Sequence, residues 1–150
     1  MVWAAIAHGY RSPLVVINGN LNAQRYRDDI LAHHVIPLFH NNANISIFQH
    51  DNATSHTARD TVNFLITNNI DFIDDWPAKS PDLNQIEHAW DILDRRVRRR
   101  PNPPANVNEL RQALIQEWNN IPQAEINNLV NSMRRRCNAV VNSRGGHTRY

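Results

Sequence analysis

Apolar residues change their spacing several times along the chain, and each change marks an element. Val2 to Ala7 and Leu14 to Ile17 are β-prone runs separated by His8-Gly9-Tyr10-Arg11-Ser12-Pro13, a loop of hairpin length punctuated by Gly and Pro. They predict a hairpin. Asn18-Gly19 ordinarily announces another, but Tyr26, Ile30 and Leu38 recur on one helical face, so the turn reads as a strand-to-helix connection with Asn22 as N-cap. Pro37 should end or kink that helix near its last turn. Ile45, Ile47 and Phe48 form a short buried strand that breaks at Asp51-Asn52. A helix over about Thr57 to Thr67 follows, with Val62, Leu65 and Ile66 inward, then a short strand at Asp71 to Ile73.

The next helix is opened by Ser80 as N-cap, Pro81 at the first helical position and Asp82 in the first turn. Leu83, Ile86, Trp90, Leu93 and Val97 recur along it and form the face that packs on a sheet, with Glu87 beside that stripe. Pro101, Pro103 and Pro104 stop it. Asn106 with Glu109 three residues on is a capping-box-like start, and Val107, Leu110, Leu114 and Ile121 trace one apolar face. Pro122 divides that helix from the last, whose stripe is Ile126, Val130, Met133, Cys137 and Val140, before Gly145-Gly146 and a polar tail. The order strand, strand, helix, strand, helix, strand, helix predicts a mixed α/β sheet covered by helices.

Composition fits one modest domain. A chain of 150 residues buries about 70% of the surface its unfolded form exposes, enough for one core. Formal charge is only +2, yet the basic residues are fifteen Arg and a single Lys, concentrated in the carboxyl half. Arg binds phosphate through a planar fork, so this distribution matters more than the sum. Cys137 alone forms no internal disulfide and suits a reducing compartment, and no apolar run approaches membrane length. The expectation is a soluble, intracellular protein.

Two carboxylates carry the candidate chemistry. Asp51 lies at the carboxyl end of a strand, and Glu87, after 35 intervening residues, projects from a helix. Such a pair can converge on a hard cation such as Mg²⁺, which takes oxygen ligands and keeps several waters. The plainer readings are a turn-forming Asp before Asn and a solvated helix carboxylate. His56 could touch a phosphate or cap the helix beginning near Thr57, and the second reading is preferred. Trp76 and Trp90 lie beside apolar stripes and read as core aromatics.

QHDNATSHTA and DWPAKSPDLNQIEHAW, with RSPLVVINGNLNAQRYRDDIL near the start and NSMRRRCNAVVNSRGGHTRY at the end, resemble the catalytic core of the Tc/mariner superfamily of DDE transposases. The spacing between the two carboxylates is one residue longer than usual in that branch, an insertion placed at Asp74-Asp75. The resemblance implies a ribonuclease-H-like fold with residues 1–100 as sheet and active-site helix and 101–150 as a helical extension. It implies catalytic and metal roles for Asp51 and Glu87, with Mg²⁺ or Mn²⁺ as cofactor. It also marks an absence: the family's first catalytic Asp lies on a central strand upstream of the segment matching Met1 to Tyr10, and no Asp precedes Asp28 here. The family's helix-turn-helix region is not matched either. The chain thus resembles the carboxyl-terminal part of a transposase, lacking the first central strand. Unpaired backbone in the sheet should make it marginally stable, recruit a partner or rearrange pairing.

For the parent family the resemblance implies two Mg²⁺ ions, held by three carboxylates, promoting in-line phosphodiester displacement. With two carboxylates, nicking and strand transfer should be severely reduced or absent. Arg95, Arg96, Arg98, Arg99 and Arg100 are the candidate DNA contacts, since their density exceeds what the helix dipole needs, and Arg134, Arg135 and Arg136 form a second cluster. The implied partners are transposon-end and target DNA and another transposase copy, in the nucleus, with no membrane. The competing readings are a non-catalytic module that binds DNA or full-length transposase, and a decaying fragment with no selected function.

Overall fold

The computed structural model describes residues 1–77, 80 and 83–143. It divides into two compact units, Met1 with Ile17–Lys79 and Val2–Val16 with Ser80–Tyr150.

The amino-terminal hairpin forms as two short ladders. β1 (Val2–Trp3) pairs antiparallel with β4 (Val15–Val16), and β2 (Ile6–Ala7) with β3 (Tyr10–Arg11). Only Ala4 and Ala5 separate β1 from β2, whereas Ser12, Pro13 and Leu14 separate β3 from β4, so the returning arm carries one extra residue, as in a β-bulge. Pro13 has no N–H to give a ladder, and buried Ser12 makes up the loss. Its N–H donates to the Ala5 carbonyl at 2.9 Å, and its Oγ accepts the Ala5 N–H at 2.8 Å. The turn is only His8-Gly9, with Gly9 at φ +75°, the second central position at which a tight turn needs positive φ. Tyr10 and Arg11, expected in the loop, are therefore strand residues.

In the first unit Asn22 caps as predicted, its Oδ1 accepting the Arg25 N–H at 2.9 Å to open α1 (Ala23–Arg25). The helix then widens to a π-helical segment, Tyr26–Val35, and returns to α over α2 (Ile36–Asn41). Bonds from i to i+5 hold more residues per turn, so spacings of four and five stay on one face. Tyr26, Ile30, Leu31 and Val35 are all 0% exposed. Pro37 does not end the helix, which runs on to Asn41, because it stands at the start of α2, where the bonding register is changing and a missing N–H costs least.

The predicted strand before Asp51 is reduced to one parallel bridge, Phe48 to Phe72. The Phe48 N–H donates to the Asp71 carbonyl at 2.7 Å, and its carbonyl accepts the Ile73 N–H at 3.1 Å. Phe48 is buried, while Ile47, one residue away and on the opposite face of the pleat, is 59% exposed. α3 (Thr54–Thr57) and α4 (Arg59–Thr67) replace the single helix expected here, and the buried Thr61 Oγ1 donates to the Ser55 carbonyl at 2.7 Å. Leu65 faces inward but Ile66 is 60% exposed, since one helical step turns it away. α4 ends on left-handed Asn69, with the Ile70 N–H reaching the Leu65 carbonyl and the Asn69 N–H the Ile66 carbonyl, both at 3.0 Å.

The second unit is helical over the hairpin: α5 (Gln85–Arg98), α6 (Val107–Asn119), α7 (Gln123–Asn131) and α8 (Met133–Asn142). Pro81 and Asp82 lie outside the described residues, as do Gly145 and Gly146, and α5 begins after Asn84 instead of Ser80. Its stripe packs as predicted, Leu93 and Val97 buried and Ile86 and Trp90 beside them, with Ala89 added, against Ala4, Leu14, Ala113, Trp118, Ile121 and Ile126. The capping box at Asn106 forms, Oδ1 accepting the Glu109 N–H at 3.0 Å while Glu109 accepts from the Asn106 side chain and the Ala105 N–H. The α6 face is rotated from expectation: Val107 is 65% exposed and Leu110 39%, because fully buried Trp118 sets the phase. The Trp118 Nε1–H donates to the Ser12 carbonyl at 2.8 Å, tying α6 to the hairpin bulge. Buried Ser132 separates α7 from α8, and on α8 Arg136 takes the inward position while Cys137 is exposed.

Two stability predictions follow from these cores. Trp118→Ala should cost about 3–5 kcal/mol by cavity formation, and Trp118→Phe less, the Ser12 carbonyl losing its donor; urea melts read both. His50, packed between the rings of Phe48 and His56 at 5.0 Å each, is held by burial, with a contribution from His56 and against Asp51, at a pKa of about 4 instead of 6.5. Because the unfolded chain takes that proton more readily, this stability is complete above about pH 6.5 and is lost as pH falls toward 4, up to about 3 kcal/mol. Urea midpoints should drop across that window, and His50→Phe should flatten the drop.

Candidate metal and nucleic-acid site

Three residues beyond the Phe48 bridge, Asp51 leaves its side chain 53% exposed. Its Oδ1 nevertheless accepts one hydrogen bond and meets an imidazole nitrogen at close range. The Ala53 N–H donates to it at 3.0 Å, the turn an Asp makes with backbone two residues on, and His56 Nδ1 lies 2.7 Å away. The same Nδ1 is 3.2 Å from the Asp51 carbonyl, so both neighbours are acceptors and Nδ1 carries the proton. The His56 ring is fixed in turn, 4.2 Å from the Tyr26 ring and stacked within 5° of parallel on His50, whose Nδ1 is 3.2 Å from the Tyr26 hydroxyl. Asp51 Oδ2 has no partner among the described residues. Asn52 Nδ2 donates to the Trp76 carbonyl at 2.7 Å, joining the turn to the segment beyond the second bridge strand.

Glu87 stands exposed in the first turn of α5, where the helix dipole favours a carboxylate. Its side chain makes no hydrogen bond or ion pair among the described residues. Asp51 and Glu87 belong to different compact units, and among the described residues no group of three or more His, Cys, Asp or Glu is gathered for a metal ion. Each nonetheless offers an accessible carboxylate oxygen, the donor type that suits Mg²⁺ or Mn²⁺. Asp28 and Asp29 are differently occupied, Asp28 with Arg27 at 2.7 Å and Asp29 with Arg25 at 3.0 Å.

The five arginines at the end of α5 and just past it separate into distinct roles. Arg95 pairs with Asp91 at 2.8 Å and Arg98 with Asp94 at 2.7 Å, each one turn along the exposed face. Arg100 is engaged by Glu117 and, at 3.0 Å, by Gln116. Arg96 donates through one guanidinium nitrogen to the Asn120 carbonyl at 2.7 Å, while its buried Nε has no partner among the described residues. Arg99 is exposed, with no hydrogen bond or ion pair among them. Arg96, Arg99 and Arg100 line a cavity of about 440 Å³ with Pro101, Asn102 and Glu117.

Two features escaped the sequence reading. His56 neither caps a helix nor stands free, and the HDNATSH spacing, with a His five residues after the Asp, was the available signal. Arg136 is only 3% exposed, its Nε bonding Ser132 Oγ at 2.7 Å and its guanidinium 3.1 Å from His88, so it builds the interior, unlike its exposed neighbours Arg134 and Arg135.

Residues 1–111 match the DDE superfamily endonuclease family. The chain is 34% identical to the Transposable element Tcb1 transposase of Caenorhabditis briggsae, over 100% of this chain and 54% of that protein. It is 31% identical to the Transposable element Tc3 transposase of Caenorhabditis elegans, over 100% of this chain and 45% of that one. It therefore spans about half the length of these relatives. Among solved structures, the Mos1 transposase catalytic domain with raltegravir and Mg superposes with a TM-score of 0.75 at 23% identity, over 93% of this chain and 70% of that one. The Mos1 mariner paired end complex with Mn gives 0.73 at 22%, over 93% and 41%. The fold is ribonuclease-H-like, helices over a reduced sheet, and the chain belongs to the DDE superfamily endonucleases, in their Tc/mariner transposase branch.

Proposed function

We propose that residues 1–150 are part of the catalytic domain of a cut-and-paste DNA transposase and supply two of its three carboxylates, Asp51 and Glu87, for metal-dependent phosphodiester transfer. Residues 1–100 carry the sheet and active-site helix, and 101–150 a helical extension. The observation that carries this reading is the state of Asp51, one oxygen held by the Ala53 N–H and packed against His56 Nδ1, the other without a partner among the described residues. A turn-forming Asp needs only the Ala53 bond.

Asp51 and Glu87 would hold Mg²⁺ or Mn²⁺, which when bound would activate a water or 3′ hydroxyl and offset charge on the leaving oxygen. Asp51 offers Oδ2, His56 and Ala53 hold Oδ1 still, and Glu87 offers its carboxylate from the start of α5. Arg99 reaches a DNA phosphate first, with Arg96 and Arg100 beside it; Arg95 and Arg98 contribute after leaving their Asp partners. The third carboxylate is not supplied here, because Asp28 and Asp29 are paired with arginines and no Asp precedes them. The DNA partners are transposon ends and target, the protein partner another transposase copy, and the compartment the nucleus. The Mos1 paired end complex supports the choice of DNA. A second reading, a non-catalytic module that binds DNA or transposase, is favoured by the exposed Ile47 beside a strand with a single bridge.

Plasmid nicking by the chain alone with Mg²⁺ or Mn²⁺ should stay at background. Strong cleavage that persists in Asp51→Ala and Glu87→Ala would refute the carboxylate assignment. In a salt titration of DNA binding, Arg99→Ala should reduce the slope by about one unit and Arg98→Ala by less. An unchanged slope for Arg99→Ala would remove the phosphate contact.

A further inference from the structure

We propose that His56 is a positioning residue for Asp51, its ring nitrogen held against Oδ1 so that Oδ2 is the oxygen offered to a divalent cation. This rests on the metal reading of Asp51 above. An aspartate carboxylate on an exposed turn is free to rotate about its last torsion and exchange its oxygens. Here that rotation is opposed from two sides, since the Ala53 N–H donates to Oδ1 at 3.0 Å and the His56 Nδ1 lies 2.7 Å from the same oxygen.

The imidazole is itself immobile. Its side chain is only 14% exposed, it lies 4.2 Å from a tyrosine ring that is fully buried, and it stacks at 5.0 Å on His50. Nδ1 also faces the Asp51 carbonyl at 3.2 Å, an acceptor that places the proton on Nδ1. A protonated Nδ1 cannot be a ligand, so through this nitrogen His56 acts on the carboxylate. In most metal sites a carboxylate orients a ligating histidine; here the histidine orients the ligating carboxylate. A helix cap would have used a backbone N–H of α3 or α4 as donor, and His56 meets only acceptors at Nδ1.

Two measurements on the full chain test this. Long-range ¹H–¹⁵N correlation of the histidine rings should show His56 as the Nδ1–H tautomer, kept in Asp51→Ala because the backbone carbonyl remains; an Nε2–H tautomer in the wild-type chain would overturn the proposal. Mn²⁺ titration followed by electron paramagnetic resonance should show affinity falling about 10–100-fold in His56→Phe, which keeps the ring stack but has no donor, and recovering in His56→Asn, whose amide replaces Nδ1–H. Wild-type affinity in a folded His56→Phe would overturn the role of His56 alone. No Mn²⁺ binding by the wild-type chain, with the tautomer intact, would overturn the metal assignment of Asp51 and this proposal with it.

Discussion

A carboxylate that follows a strand inherits its position from the strand's hydrogen bonds, and before Asp51 there is only one bridge's worth of them. The Phe48 amide and carbonyl, bonded to residues 71 and 73, fix the backbone three residues short of the site. Local contacts make up the rest. Tyr26 is their centre, its ring against His56 and its hydroxyl at His50, and Tyr26 stands where the π-helical segment begins. The wide turn that buries Tyr26, Ile30, Leu31 and Val35 together is therefore tied to the site, because a regular α-helix would turn part of this set away. Wide helical turns are found at functional sites in many proteins, and here the connection is a chain of three rings ending on a carboxylate.

In the second unit the equivalent constraint is the hairpin bulge. One extra residue in the returning arm frees the Ser12 carbonyl from its ladder, and Trp118 takes that carbonyl as its acceptor. Trp118 then lies 5.3 Å from Trp90 and below the Arg11 guanidinium, which also donates to the carbonyls of Ile121 and Asn119. A helix beginning at Gln85 with no side-chain cap depends on this packing. Glu87 is held by the far end of its own helix, through Ala89, Leu93 and Val97.

What was legible in the sequence was what short-range chemistry determines. The caps at Asn22 and Asn106, the apolar stripe of α5 and the break at Pro122 each depend on residues within a turn or two. What failed depended on distant partners or on a changed period. A 3.6-residue period found Tyr26, Ile30 and Leu38 but not Leu31 and Val35, because the helix is wider there. Ile47 and Ile66 read as core from hydrophobicity alone and are exposed; Val107 and Leu110 lost their face to Trp118, whose indole had a partner more than a hundred residues away. For the candidate site, the sequence pattern nominated Asp51 and Glu87, whereas the His56 contact needed the fold of a loop, and Arg136 reads as a surface charge until Ser132 and His88 are brought beside it.

The arginine run shows how far residue type under-determines role. Asp91 to Arg95 and Asp94 to Arg98 have the acid one turn toward the helix start, the favourable sense against the dipole, yet solvent and salt screen exposed pairs of this kind so that they contribute little. A phosphate carrying full charge can displace such a partner. Arg100 differs, since Glu117 and Gln116 hold both of its terminal nitrogens with its side chain only 26% exposed, and releasing it would leave Glu117, 16% exposed, without its cation. Arg99 has no partner among the described residues to give up. The order in which these side chains can turn to an anion is thus set by what each would abandon, Arg99 before Arg95 and Arg98, and Arg100 last, with Arg96 tethered to a carbonyl that uses only part of its fork.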